Sequence, residues 1–74
     1  MARTLADLAL GETSRILALS AEAAKQQRWL ELGFLPGRTV TAVLRAPLGD
    51  PTAYQVLDTV IALRKSDAQL IHIE

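Results

Sequence analysis

Arg28-Trp29-Leu30-Glu31-Leu32-Gly33-Phe34-Leu35-Pro36-Gly37 is the stretch that decides the fold. A helical apolar pattern stops at Gly33, where a left-handed backbone costs glycine little and any residue with a Cβ more. Pro36-Gly37 then reads as the central pair of a type II turn, proline setting φ and glycine supplying φ > 0. Thr39-Val40-Thr41-Ala42-Val43-Leu44-Arg45 follows at once, rich in β-branched residues and free of glycine, so it reads as a strand with Val40, Ala42 and Leu44 on one face. The corner between them sets the angle between a helix and a sheet.

Toward the N-terminus, the helix that ends at Gly33 is predicted over Ala21–Leu32, with Ser20 as its N-cap and Glu22 in the first turn, where a carboxylate suits the positive end of the helix dipole. Its apolar stripe of Ala23, Gln26 or Gln27, and Leu30 is thin, so Trp29, Leu30, Leu32 and Phe34 are expected to carry the packing. Thr13–Leu19 reads as a first strand whose alternation is broken at Ile16-Leu17. Thr4 and Asp7 have the spacing of a capping box, predicting a short helical turn that closes near Gly11 and leaves Leu5, Leu8 and Leu10 to plug one end of the core.

Toward the C-terminus, Ala46-Pro47-Leu48-Gly49-Asp50-Pro51 is a loop, because its prolines and glycine cannot sit in a central strand. Ala53–Leu57 and Val60–Leu63 form a hairpin turning at Asp58-Thr59. Ser66–Gln69 repeats the capping-box spacing, and Leu70–Ile73 is the last strand, Ile71 and Ile73 facing one way and Leu70 and His72 the other. The sum is one domain, residues 1–74, of mainly β class: a small barrel of about five short strands with one α-helix and short helical turns.

The totals narrow the function. A chain of 74 residues buries only about 60% of the surface its unfolded form exposes, and with one Trp, one Tyr and one Phe its core must be aliphatic. Eight basic and eight acidic residues leave no net field to steer nucleic acid or an anionic membrane. The absence of cysteine removes disulfides, thiolate metal sites and cysteine nucleophiles. Asp7 interrupts the apolar run a signal peptide needs, and no window approaches the ~20 apolar residues of a membrane span, so the chain reads as cytosolic.

Little chemistry is encoded. His72 and Glu74 are two candidate ligands on one strand face, whereas a metal centre takes three or four, and Asp50, Asp58 and Asp67 read as solvated turn carboxylates without calcium-loop spacing. Ser14, Ser20 and Ser66 lack a nucleophile elbow, and no glycine-rich phosphate loop exists, so neither a catalytic residue nor a cofactor is assigned. Arg38, Arg45, Arg64 and Lys65 lack the stacking aromatics of an RNA-binding surface and read as a solvated face. Trp29 reads first as a core residue and second as a binding anchor. The Pro47–Pro51 loop fits a stiff connection and, equally, a preorganised docking tip.

Four segments in order carry a resemblance: Leu5-x-x-Leu8-x-x-Gly11-Glu12, then Arg28-x-Leu30-x-Leu32-Gly33-Phe34-x-Pro36-Gly37, then Arg45-Ala46-Pro47-Leu48-Gly49-Asp50-Pro51, then Ile61-x-Leu63-Arg64-x-x-x-Ala68-x-x-Ile71. Together they resemble the FeoA-type ferrous iron transport accessory proteins, small cytosolic SH3-like barrels. The barrel is also similar to the C-terminal domain of iron- and manganese-dependent repressors, which leaves a metal-ion-binding regulatory barrel as the alternative. Those repressors carry a DNA-binding helix-turn-helix ahead of the barrel, for which this chain has no room. Asp58 departs from the family, which often has glycine in that hairpin, and the departure is expected to loosen or lengthen the turn.

The resemblance implies a non-enzymatic, cytosolic partner of FeoB, the membrane ferrous iron permease with a cytosolic GTP-binding domain. It implies contact with the membrane only through that partner, no metal-ligand set, no cofactor and no nucleic acid, and leaves weak self-association through an open barrel edge. From expected exposure, the docking residues are Leu48, Gly49 and Asp50 in the rigid loop with Leu35 beside the central turn, while Gly33, Pro36 and Gly37 hold the corner.

Overall fold

The structure, a computed structural model, describes residues 3–74; Met1 and Ala2 of the expected domain lie outside it. In chain order its elements are β1 (Arg3–Thr4), a 3-10 turn (Leu5–Asp7), β2 (Thr13–Leu19), α1 (Ala23–Leu32), β3 (Thr39–Arg45), β4 (Thr52–Val56), β5 (Thr59–Leu63), α2 (Lys65–Ala68) and β6 (Ile71–Ile73). Six strands, one more than expected, form a curled sheet in the order β1-β6-β2-β3-β4-β5, every pairing antiparallel. The extra strand is β1, two residues long and paired with β6 through Arg3↔Ile73 and Thr4↔His72. Nothing local in Arg3-Thr4 announces it.

The corner forms as its sequence dictates. Gly33 N–H donates to the Leu30 carbonyl at 3.1 Å and Phe34 N–H to that of Trp29 at 2.9 Å, the paired bonds of a Schellman motif, with Gly33 at φ 108°. Trp29 and Phe34, the residues that meet in this motif, are both buried. Arg38 N–H then closes the turn on the Leu35 carbonyl at 3.0 Å with Gly37 at φ +92°. Gly37 N–H and the Arg38 carbonyl exchange bonds with Ile16, which pins the corner to the middle of β2.

Helix α1 starts two residues later than expected. Ser20 N–H donates to the Leu70 carbonyl at 2.7 Å, so it still belongs to the sheet, and extended Glu22 is the N-cap. In place of a serine cap, the Gln26 side chain reaches back to the carbonyls of Leu19 and Ala21. The stripe is thinner than drawn: Ala23 and Gln27 are exposed, Leu30 is half-buried and Leu32 faces out, leaving Trp29 as the helix's buried anchor.

Two bulges correct the strand faces. The β2–β6 register shifts between Ile16 and Ala18, so Leu17 and Ala18 both lie outside and Leu19 turns back to the core, and the β3–β4 register shifts between Ala42 and Leu44, which leaves Val40 and Ala42 inside and Leu44 66% exposed. Leu10 also lies outside, at the tip of a turn closed by the Glu12 N–H on the Ala9 carbonyl. The hairpin turns at Leu57-Asp58, one residue before the expected position and without lengthening, because Val56 pairs with Thr59. Leu57, at φ 55°, lies beside Gly33, its Cδ1 3.6 Å from where a Cβ there would sit. Packing against the corner thus draws leucine into a position glycine would occupy with less strain.

At the C-terminal end, α2 begins after Arg64 rather than at Ser66, and β6 holds Ile71 and Ile73 inside as the alternation predicts. The core they join is aliphatic around Trp29, Phe34 and Tyr54, with Leu5, Leu8, Ile16, Val40, Val56 and Leu63.

Candidate functional site

The β3–β4 loop, residues 46–51, meets its own backbone needs: Ala46 N–H donates to the Pro51 carbonyl at 3.0 Å and Gly49 N–H to that of Ala46 at 2.8 Å. Asp50 Oδ1 accepts the Lys65 N–H at 2.8 Å and so caps the start of α2, while Oδ2 lies 4.0 Å from the Arg64 guanidinium. Of the expected docking residues, Asp50 therefore has a structural role, and Leu48 stands at the tip, 97% exposed. Gly49 lines a cleft of about 240 Å³ with Arg45, Thr52, Tyr54 and Lys65.

The floor of that cleft is internally satisfied. Arg45 is committed through Nε to Thr52 Oγ1 at 3.1 Å and through Nη2 to the Leu8 carbonyl at 3.0 Å, so it does not belong to a solvated basic face. The Tyr54 hydroxyl donates to the Leu5 carbonyl at 3.1 Å, and burial pushes its phenol above the usual tyrosine range. Leu35 is half-buried at the other end of β3, whose seven residues span ~20 Å, so the structure does not bring it together with Leu48.

A second surface was not found by sequence reasoning. On the outer face of the sheet, Leu44 pairs with Ala53 and Ala53 with Ala62, an apolar row that runs from the base of the loop to β5. Val60, 58% exposed, extends it along β5. Between β5 and α1 lies a cleft of about 330 Å³, with Lys25, Arg28 and Leu32 on the helix side and Ile61, Ala62 and Leu63 on the strand side. Consecutive strand residues point to opposite faces, so a cleft touched by all of Ile61, Ala62 and Leu63 follows the strand's edge. The signal in the sequence is Thr59-Val60-Ile61-Ala62-Leu63, apolar at consecutive positions and so able to bury both faces.

The charges near these surfaces are mostly paired. Lys25 Nζ lies 2.9 Å from Asp67 Oδ1 at the end of the cleft, so Asp67 ties α2 to α1. His72 Nε2 lies 2.7 Å from Ser20 Oγ at the junction of β2 and β6. On the far side, the Ala9 N–H and the Arg3 guanidinium hold the Glu12 carboxyl below the usual carboxylate range. Among the described residues, no group of three His, Cys, Asp or Glu side chains is placed to hold a metal ion, and no helix is long and apolar enough to cross a membrane.

This architecture and sequence match the FeoA domain over residues 3–74. The chain belongs to the FeoA family. It is 37% identical, over 95% of its length, to the Fe(2+) transport protein A/Fe(2+) transporter FeoB fusion protein of Porphyromonas gingivalis, and spans 8% of that relative. Among solved structures, FeoA of Stenotrophomonas maltophilia complexed with zinc, described as a prokaryotic SH3 domain protein, is 33% identical with a TM-score of 0.86, covering 97% of this chain and 89% of that one. Iron(II) transport protein A of Clostridium thermocellum is 35% identical with a TM-score of 0.91, covering 97% and 44%. A manganese-dependent transcriptional repressor, 18% identical with a TM-score of 0.80, shares the fold alone. The SH3-like, mainly β barrel expected from the resemblance is the fold of this FeoA domain.

Proposed function

We propose that this FeoA domain is a cytosolic accessory of ferrous iron uptake that docks on the cytosolic part of a FeoB-type permease and catalyses no reaction itself. One observation carries the reading: in the Porphyromonas relative, the matching segment and an Fe(2+) transporter are parts of one polypeptide. Tethering two modules in one chain holds them at an effective concentration of about millimolar, which favours an interface between them. The loop offers such an interface a single projecting leucine on a backbone already fixed by its own hydrogen bonds. A stiff loop loses little entropy on docking, and an apolar anchor at its tip supplies the burial.

Leu48 is the anchor in this reading, with Gly49 and Asp50 shaping the loop behind it; Leu35, at the opposite end of β3, serves a separate contact. The test is a titration of the purified protein against full-length FeoB-type permease in nanodiscs, with and without guanine nucleotide, at physiological salt. Saturable binding that Leu48→Asp weakens while the fold stays intact is the expected result. Absence of binding in every nucleotide state contradicts the reading.

A further inference from the structure

The β5 edge carries an unused recognition device. Val56 and Thr59 flank a two-residue turn and are therefore a hydrogen-bonded pair, as are Tyr54↔Ile61 and Thr52↔Leu63. The N–H and C=O groups of Val60 and Ala62 consequently point away from β4, and β5 is the last strand of the sheet. Among the described residues, no other backbone group bonds to them. Ala62 lines the cleft beside α1 together with Ile61 and Leu63, and Val60 continues the same free edge toward the turn.

We propose that this edge takes up an extended segment of the permease as an added strand, a mode that rests on the docking reading above. Backbone groups of the segment pair with Val60 and Ala62, its alternate apolar side chains meet Ala62 and Leu32, and a carboxylate on it faces Arg28. The charge follows from the cleft's own balance: Lys25 and Asp67 neutralise each other, whereas Arg28 has no ion-pair partner among the described residues. A second copy is a poorer occupant, because the strand it offers, Thr59-Val60-Ile61-Ala62-Leu63, holds no carboxylate within it, Asp58 lying in the turn before it. Main-chain pairing gives such a site affinity, and the side-chain pocket and the charge give it selectivity.

The test compares the full chain with Ala62→Pro and Arg28→Glu in binding to the full-length permease in nanodiscs, together with amide exchange at Val60 and Ala62. Proline at position 62 removes an N–H that β4 does not use, so the sheet tolerates it better than an incoming strand does. The expected results are slowed exchange of both amides on binding, about tenfold weaker binding for Ala62→Pro, and weaker binding for Arg28→Glu that no longer falls as salt rises. Exchange at the two amides is read on the unaltered protein, so the test survives a poorly folded proline variant. Permease binding with both amides unprotected and Arg28→Glu unchanged overturns strand addition while leaving docking intact. No binding of the unaltered protein overturns docking and strand addition together. Protection of the two amides by self-association in the absence of permease assigns the edge to a second copy and overturns the proposal.

Discussion

The β3–β4 loop and the β5 edge bound one apolar strip, Leu44-Ala53-Ala62, yet they present opposite kinds of surface. In the loop two backbone hydrogen bonds, Ala46 to Pro51 and Gly49 to Ala46, close the turn, Asp50 is committed to α2, and one side chain projects. At the edge the side chains are modest and the backbone is what remains unpaired. The first offers a partner chiefly a leucine, and the second chiefly main-chain hydrogen bonds, with Leu32 and Arg28 beside them. The difference teaches that one small barrel can carry two unlike surfaces in adjacent regions, a projecting side chain and an open backbone.

That contrast depends on the two regions being rigid for different reasons, which mutation can break. The largest expected effect is at Trp29, which is in the core and also lines the cleft beside β5. Trp29→Ala should cost about 3–5 kcal/mol in urea unfolding; a cost below about 1 kcal/mol would show that α1 is not held against the edge by this ring. Asp50→Ala should cost about 1 kcal/mol, because it uncaps Lys65. It should also speed amide exchange at Lys65 while leaving Val60 and Ala62 unchanged, and equal changes at all three would merge the two regions into one.

Smaller effects sharpen the comparison. Leu48→Asp should shift stability by no more than about 0.5 kcal/mol, since the side chain touches nothing, and any larger loss would mean that Leu48 packs rather than projects. The smallest effect is a pH control on the far side of the sheet. Glu12 is held below the usual carboxylate range, so its stabilising contribution is complete above that range and is lost as pH falls through it and below. Arg3→Gln should flatten that acid dependence in unfolding curves without altering binding at neutral pH.

The loop was legible because its determinants are local: Pro47, Gly49 and Pro51 forbid a strand wherever the chain lies in space. The corner was legible for the same reason, Gly33 and Pro36-Gly37 each answering a backbone requirement on the spot. The edge was not. Which strand ends a sheet depends on pairings between distant segments: β6 returns from the chain's end to lie between β1 and β2, so β5 pairs with β4 alone and is left at the margin. The face of Leu44 failed for a related reason, because a bulge inverts alternation without any residue that marks it. Ser20 had the chemistry of a cap but was kept by the sheet, its N–H given to Leu70.

The most direct test of the account is ferrous iron uptake in cells from which the protein's own coding sequence has been removed, restored with the unaltered chain, Leu48→Asp or Ala62→Pro at matched protein levels. The account predicts that the unaltered chain restores uptake and that both variants restore less of it although they remain folded. Full restoration by both variants would contradict it, because neither the projecting leucine nor the unpaired edge would then be needed for transport.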